Sequence, residues 1–245
     1  MASSRDKLFA QEGKMPEDFT FGPETAAVFD DMLERSVPMY AELQHHIVEI
    51  SCFFARPKST IYDLGCSTGI TLQHLAQALP SGNDVRLVGI DSSEAMLEKC
   101  RARLQENKIG ERVALSKADL NDPLQICDAA VVILNLTLQF VRPLRRDALI
   151  QTIYAGLRSG GCLILIEKVL GNDALCNRVF IDLYYAFKKR QGYSEMEIAR
   201  KREALENVLI PYRLDENKEL LARNGFTHVD VFFKWYNFCG MLAIK

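Results

Sequence analysis

The sequence predicts an α/β fold built on a mostly parallel sheet. From residue 60 to residue 166, five short apolar runs alternate with three helical segments. The predicted strands are 60–64, 86–90, 112–116, 129–134 and 162–166, and the predicted helices between them are 70–79, 94–107 and 144–157. Strands that alternate with helices in this way form parallel sheets with helices on both faces. Two further apolar runs at 229–235 and 241–244 predict an antiparallel hairpin, which brings the sheet to seven strands.

Helices are also predicted on either side of this alternation. Pro23 suits the first turn of a helix over 23–36, and Val37-Pro38 separates it from a second helix over 40–54. The long connection after Ile166 has helical periodicity at 173–190, 194–209 and 214–224, so we predict a helical insertion over about 168–224. Residues 1–18 are polar and contain Gly and Pro, which predicts a flexible N-terminus ahead of one domain over 19–245.

Composition restricts the function classes. The chain has 245 residues, is 48% hydrophobic and 25% charged, and carries a net charge of -2 with no basic block. Direct nucleic-acid binding is therefore not expected, because phosphate contacts need clustered lysines and arginines. Seven cysteines without disulfide or zinc spacing predict reduced thiols in the cytoplasm and no metal. No apolar run is long enough for a membrane span, and the start is not a signal peptide.

The first strand ends in a turn of small residues at 61–69. Gly65, Cys66 and Ser67 allow a ligand to approach the backbone, and Gly69 allows the next helix to pack closely. The dinucleotide fingerprint G-x-G-x-x-G does not fit this turn. An acidic residue followed by G-x-G-x-G, with Ser67 in place of the middle glycine, fits better and is the loop of S-adenosylmethionine-binding folds. The turn therefore predicts a nucleoside ligand.

Polar residues at the ends of the next strands support that prediction. Asp91 can accept hydrogen bonds from both ribose hydroxyls, or it can cap a helix, although Ser92 or Ser93 can supply that cap. Asp119 can accept from an adenine amino group while Leu120 covers the ring, or it can be a turn former. Asn135 ends the fourth strand, where an amide can belong to a ligand site or can be merely a turn former. Together on one sheet edge, these residues predict a nucleoside site.

Arg202 occupies an unusual position in the predicted helix over 194–209. Ser194 and Glu197 form a capping-box pattern at its start. At about 100° per residue, Arg202 falls within an apolar stripe. That stripe consists of Ile198, Leu205 and Leu209. Burying a guanidinium costs several kcal/mol unless an anion meets it. One interpretation is therefore a ligand anion at Arg202, and the other is an alkyl stem that packs while the head reaches water.

Several segments of the chain match the pattern of a known family. Leu-Thr-Leu-Gln-Phe at 136–140 and Lys-Arg with Leu-Glu-Asn-Val at 201–208 are the most specific of them, and the other matching segments are 35–40, 61–67, 192–195 and 236–238. On these segments the chain resembles the carboxy-S-adenosyl-L-methionine synthase family, from about Phe19 to Lys245. The glycine-containing turn at 61–69 is shared by all class I S-adenosylmethionine methyltransferases, so it is not specific.

The resemblance implies a Rossmann-like class I methyltransferase fold, usually a homodimer. It also implies a reaction: S-adenosyl-L-methionine and prephenate give carboxy-S-adenosyl-L-methionine, phenylpyruvate and water. A partner tRNA carboxymethyltransferase then uses the product to modify a wobble uridine. Arg202 would hold the new carboxylate, and Tyr40 would close the pocket, which makes these two the implied catalytic residues. The implied nucleoside and methionine ligands are Tyr40, Gly65, Cys66, Ser67, Asp91, Ser92, Asp119, Leu120 and Asn135.

Three positions depart from the family pattern: Met39 where glycine is typical, Ser92 where asparagine is frequent, and Leu120 in place of isoleucine. Two other functions also fit the nucleoside pocket. One is an ordinary methyltransferase acting on a small molecule, which needs no cation beside the methyl group. The other is a non-catalytic S-adenosylmethionine-binding subunit of a tRNA-modifying enzyme.

Overall fold

Seven strands form one mixed sheet in a computed structural model that describes residues 5–10, 18–80 and 84–245. Their order is β3-β2-β1-β4-β5-β7-β6. Strands β1 to β5 are parallel, whereas β7 pairs antiparallel with β5 and β6. The predicted fold is confirmed. The strands are β1 (Thr60–Leu64), β2 (Arg86–Asp91), β3 (Val113–Lys117), β4 (Ala129–Asn135), β5 (Leu157–Lys168), β6 (His228–Trp235) and β7 (Phe238–Ile244).

Eight α-helices lie within the described ranges, and the predicted helices correspond to them with small shifts at the ends. They are α1 (Pro23–Ser36), α2 (Tyr40–Phe54), α3 (Ile70–Ala78), α4 (Glu94–Glu106), α5 (Pro143–Gly156), α6 (Ala174–Arg190), α7 (Glu195–Leu205) and α8 (Leu214–Arg223). The largest difference is at α7, which ends four residues before the predicted Leu209. Short 3-10 turns occur at Gly110–Arg112 and Leu138–Phe140.

The central strands are buried on both faces. All five residues of β1 and the first six of β4 are buried. Such strands read as continuous apolar runs, as expected for a parallel sheet covered by helices. One face packs with residues of α2, α3 and α4, and the other with residues of α5 and α8. The strand order reverses between β1 and β4, and ligands in such sheets bind beyond the carboxyl ends of the strands at that point.

The N-terminal segment predicted to be flexible is only partly described. Residues 1–4 and 11–17 lie outside the described residues. Between them, Asp6 is buried: its backbone N–H donates to Asp31 Oδ2 at 2.7 Å, and its own Oδ2 accepts from the Tyr193 hydroxyl at 2.7 Å. This part of the segment therefore packs against α1 and the start of the α7 region. Over the described ranges, no helix combines the length and the apolar character needed to cross a membrane.

Candidate functional site

A cavity of about 500 Å³ opens at the carboxyl ends of the strands. Its volume falls in the range of small-molecule sites. The structure brings all ten predicted site residues to its lining: Tyr40, Gly65, Cys66, Ser67, Asp91, Ser92, Asp119, Leu120, Asn135 and Arg202. Helices α1, α6 and α7 complete the wall that faces the sheet edge. The grouping agrees with the sequence analysis, while the contact that each residue makes with a ligand stays a prediction.

The turn after β1 is tight because its first residue has a left-handed backbone. Gly65 has φ 78°, and its N–H donates to the Ile90 carbonyl at 2.7 Å. A Cβ at this position would lie 2.4 Å from Thr137 Cγ2, so only glycine fits. Ser67 follows with φ 45°. These angles turn the chain across the strand end and present its backbone to the cavity.

The Asp91 carboxylate joins that turn to the end of β2. Its Oδ2 accepts from the Ser67 N–H at 2.9 Å, and its Oδ1 accepts from the Ser93 N–H at 2.8 Å. The N-cap of α4 is Ser93, whose Oγ accepts from the Met96 N–H at 3.2 Å. Asp91 is therefore not needed as a cap, and its remaining lone pairs are available to ribose hydroxyls. Burial raises the pKa of this carboxyl.

Asp119 takes part in a turn as well as in the cavity lining. Its Oδ1 accepts from the backbone N–H of Asn121 at 2.9 Å and from the Asn121 side-chain amide at 2.7 Å. The neighbouring Leu120 is buried and lines the cavity. Both interpretations of Asp119 from the sequence are thus compatible with its position, since its second oxygen has no such bond to Asn121.

Two buried acceptors in the cavity lining have no hydrogen-bond partner among the described residues. They are Asp63 Oδ2, near the end of β1, and Asn135 Oδ1, at the end of β4. Burial, with a contribution from the Asp91 charge, raises the pKa of Asp63 to about 7. Leaving such atoms unpaired costs about 1–3 kcal/mol each. S-adenosylmethionine carries an ammonium and a sulfonium, so its methionine end fits these two acceptors.

Tyr40 is held by a short chain of side-chain hydrogen bonds at the start of α2. The Thr71 hydroxyl donates to Gln44 Oε1 at 3.0 Å, and Gln44 Nε2 donates to the Tyr40 hydroxyl oxygen at 3.0 Å. Burial raises the pKa of the Tyr40 phenol, so it stays protonated and keeps its own O–H as a donor. The residue before it, Met39, has φ 55° and ψ 38°. The phenol is therefore fixed in place.

Two buried ionisable side chains, Glu167 and Arg146, hold the specific segment at 136–140 and the residues that follow it. The Leu138 N–H donates to Glu167 Oε1 at 2.9 Å. Arg146 donates to the carbonyls of Val141 at 3.0 Å and Ile210 at 2.6 Å. Burial raises the pKa of Glu167 to about 8, opposed by Arg146 and by the backbone donors. This pair anchors one wall of the cavity.

The prediction that Arg202 lies within the buried apolar stripe of its helix was wrong, whereas the interpretation in which its head reaches water agrees with the exposed side chain. The buried residues of α7 are Ile198, Lys201 and Ala204, so the buried face is centred on Lys201 and Arg202 lies at its edge. Leu209, which widened the predicted stripe toward Arg202, lies beyond the end of the helix. Arg202 is exposed and lines the cavity, and it has no ion-pair partner in the described part of the chain.

Comparisons with known proteins give the family. A methyltransferase-domain family model matches residues 61–161. A carboxy-S-adenosyl-L-methionine synthase from Methylococcus capsulatus is 55% identical over 243 residues, which cover 99% of this chain and 100% of the relative. A synthase of the same name from Desulfotalea psychrophila is 44% identical, covering 100% of this chain and 99% of the relative. This chain belongs to the carboxy-S-adenosyl-L-methionine synthase family.

A solved structure supports the fold of this synthase family member. Human N-acetylserotonin methyltransferase in complex with SAM superposes with a TM-score of 0.59 at 16% identity, covering 91% of this chain and 56% of that chain. The family makes the chain an enzyme and a transferase that uses S-adenosyl-L-methionine. Within the described residues, no group of three or more His, Cys, Asp or Glu side chains is arranged to hold a metal ion.

Several residues of the cavity lining were not among the site residues predicted from the sequence. Asp63 entered the sequence prediction only as the acidic residue that precedes the glycine-containing turn. Three lysines were not predicted as ligand-binding residues. Those lysines are Lys168, Lys188 and Lys201. Lys168 had a usable signal, because it is the last residue of β5 and so lies on the same sheet edge as Asp91 and Asn135. Lys188 and Lys201 come from the helical insertion, where the sequence does not show which helix face meets the sheet.

Proposed function

We propose that this synthase converts S-adenosyl-L-methionine and prephenate to carboxy-S-adenosyl-L-methionine, with phenylpyruvate and water as the other products. Conversion of S-adenosyl-L-methionine to its carboxylated form follows from membership of the family. Prephenate as the carboxyl donor follows from the resemblance described above. The observation that carries the proposal is Arg202, a cavity-lining arginine without an ion-pair partner among the described residues. An ordinary methyl transfer places no negative group beside the sulfonium and needs no such cation.

The reaction balances without a base from the protein. Prephenate loses carbon dioxide and hydroxide as its ring becomes aromatic. The hydroxide removes a proton from the sulfonium methyl group and becomes water, and the resulting ylide carbon bonds to the carbon dioxide. The protein contributes placement, exclusion of water and charge stabilisation. Arg202 stabilises the developing carboxylate, Tyr40 covers the reacting groups, and Phe21 and Phe140 keep part of the cavity apolar.

Mass spectrometry of the nucleoside product tests the proposal. Purified protein is incubated with S-adenosyl-L-methionine and prephenate whose ring carboxylate carries ¹³C. We expect a nucleoside heavier than the substrate by one ¹³CO₂, together with phenylpyruvate. Formation of S-adenosylhomocysteine with a small acceptor would instead support an ordinary methyltransferase. Tight binding without turnover would support a non-catalytic subunit. Omission of prephenate is the control.

In the cell, the product would serve a partner tRNA carboxymethyltransferase that modifies a wobble uridine. The sulfonium of carboxy-S-adenosyl-L-methionine activates its carboxymethyl group for transfer, which is the chemistry that such a partner needs. The partner, and not this chain, contacts the tRNA, in keeping with the net charge of -2. The cytoplasm is the compartment of both. Deletion of the gene should remove the carboxymethyl modification from tRNA hydrolysates, and re-expression should restore it.

The chain would act as a homodimer. Helix α6 carries three exposed apolar residues at four-residue spacing, which place them on one face: Leu175, Val179 and Leu183. An apolar stripe on a helix surface favours contact with a second copy. Light scattering after gel filtration should give twice the 27.7 kDa mass of one chain. Val179→Glu should shift the particle toward one chain, whereas Arg178→Glu, next to it in the helix, should not.

A further inference from the structure

The cavity has a second group of cations apart from Arg202. Lys168, Lys188 and Lys201 all line it, and the last two have only 6% of their surface exposed. Lys168 and Lys188 converge on one aromatic ring: their Nζ atoms lie 5.2 Å and 5.0 Å from the centroid of Tyr184. Three primary ammonium groups therefore share the end of the cavity formed by β5, α6 and α7.

Among the residues that the structure describes, only Lys201 of these three lysines has an anionic partner. Lys201 Nζ lies 4.0 Å from Asp6 Oδ2 and donates to Ser36 Oγ at 3.2 Å. In the described part of the chain, the ammonium groups of Lys168 and Lys188 have ring contacts but no hydrogen bond or ion pair. Glu167, next to Lys168 in sequence, accepts from the Leu138 N–H and belongs to the network of Arg146. Glu206 also lines the cavity, but it is exposed.

Such an arrangement is costly unless a ligand completes it. A buried ammonium loses its hydration, and a ring face replaces only part of it. Burial and the neighbouring Lys201 and Lys168 hold the pKa of Lys188 well below its usual range. An anion that enters the cavity supplies the negative charge that these lysines lack, and it accepts hydrogen bonds from several ammonium groups at once. Polar or charged groups of this kind, gathered in a cavity, mark a binding site.

We propose that Lys168 and Lys188, with Lys201 beside them, form a carboxylate-binding subsite for the carboxyl-donating second substrate. The inference rests on the proposed function, since it assigns one carboxylate of that substrate to this end of the cavity. The strand-end residues Asp63, Asp91 and Asn135 present acceptors, which suit the cationic and hydroxyl groups of S-adenosyl-L-methionine. The lysines present only donors. The two sets of residues thus divide one cavity between a cationic and an anionic ligand.

The methionine carboxylate of S-adenosyl-L-methionine is the other anion that this subsite can take, and the test separates the two. Lys188→Met and Lys168→Met retain most of the side-chain volume and remove the charge. We expect each to raise KM for prephenate by about 10- to 100-fold, the usual effect of losing a charge-assisted hydrogen bond. The Kd for S-adenosyl-L-methionine, measured by calorimetry without prephenate, should change less than about threefold. Lys189→Met is the matched control, because Lys189 is exposed and pairs with Glu195 on the surface.

Each outcome decides between these assignments. A weaker Kd for S-adenosyl-L-methionine with an unchanged KM for prephenate assigns the lysines to the methionine carboxylate and overturns the proposal. Unchanged values of both constants overturn it as well. Thermal unfolding without ligand checks the fold, and the Met variants should match or exceed wild type, because an unpaired buried charge has been removed. Wild-type protein that neither binds nor turns over prephenate refutes the proposed function itself, before any variant is compared.

Discussion

The Asp91 carboxylate accepts a hydrogen bond from the Ser67 N–H at 2.9 Å, and this contact joins the glycine loop after β1 to the end of β2. The same carboxylate accepts from the Ser93 N–H at 2.8 Å. It is therefore oriented before any ligand arrives. Preorganised acceptors lose little conformational entropy when a ligand binds. Asp91 thus combines a structural role in the loop with the expected contact to ribose.

Asp91→Asn should weaken binding of S-adenosyl-L-methionine by about 10- to 100-fold, since it replaces charge-assisted hydrogen bonds with neutral ones. The asparagine amide nitrogen also cannot accept from a backbone N–H. Calorimetric titration gives the Kd. Asp122→Asn provides the control, because Asp122 is exposed and lies outside the cavity lining. An equal Kd for wild type and Asp91→Asn would show that ribose is held elsewhere.

Arg202→Leu should keep the fold and reduce the preference for carboxy-S-adenosyl-L-methionine over S-adenosyl-L-methionine by about 10-fold or more. The side chain is exposed and has no ion-pair partner in the described ranges, so its removal leaves no buried group unpaired. Competitive titration with both nucleosides gives the ratio of the two affinities. Arg190→Leu, at the exposed C-terminal end of α6, is the matched control. A ratio that does not change would remove Arg202 from the carboxylate site.

The sequence predicted the sheet and the strand-end residues well for a physical reason. Strand ends are set by short apolar runs, and parallel strands bring their carboxyl ends to one edge, so Gly65, Asp91 and Asn135 had to meet. The face that α7 turns to the cavity was not predictable in the same way. Lys201 and Arg202 are adjacent, and a rotation of one residue decides which of them is buried. That rotation depends on packing against α1 and on Asp6, far away in the sequence.

The pH dependence of S-adenosyl-L-methionine binding should follow the ionisation of the Asp63 carboxyl. Burial raises its pKa to about 7 in the ligand-free protein, above the value near 3.9 of an exposed aspartate. Between these values the folded protein holds a proton that the unfolded chain has released, so the free energy of unfolding decreases as pH rises from about 4 to about 7. A cationic ligand prefers the carboxylate. Affinity for S-adenosyl-L-methionine should therefore increase with pH up to about 7, by as much as about tenfold per pH unit.

Titrations between about pH 5.5 and pH 7.5 measure this slope below the ionisation of a typical α-amino group. Asp63→Asn should bind more weakly at the upper end and show a flatter profile. Asp91 is the other carboxyl of the cavity with a raised pKa, so Asp91→Asn should retain most of the slope. A slope that persists in Asp63→Asn and disappears in Asp91→Asn would assign the proton to Asp91 instead.

Met39 should be a site where glycine stabilises the protein. Its φ of 55° and ψ of 38° lie in the left-handed region, which costs an L-residue about 1–2 kcal/mol. Its side chain is 53% exposed, so little apolar burial is lost on removing it. Glycine loses more chain entropy on folding, by about 0.5–1 kcal/mol. The balance predicts that Met39→Gly raises the free energy of unfolding by about 0.5 kcal/mol.

Urea unfolding at equilibrium measures the change, and Met39→Ala separates its two causes. Alanine removes the long side chain but keeps the Cβ that makes the left-handed region unfavourable. If the backbone conformation is responsible, only glycine increases the free energy of unfolding. An equal gain in both variants would place the effect in the exposed apolar side chain instead. Met39 directly precedes Tyr40, but the phenol of Tyr40 is positioned by its hydrogen bond with Gln44. The glycine variant should therefore bind S-adenosyl-L-methionine with the wild-type Kd.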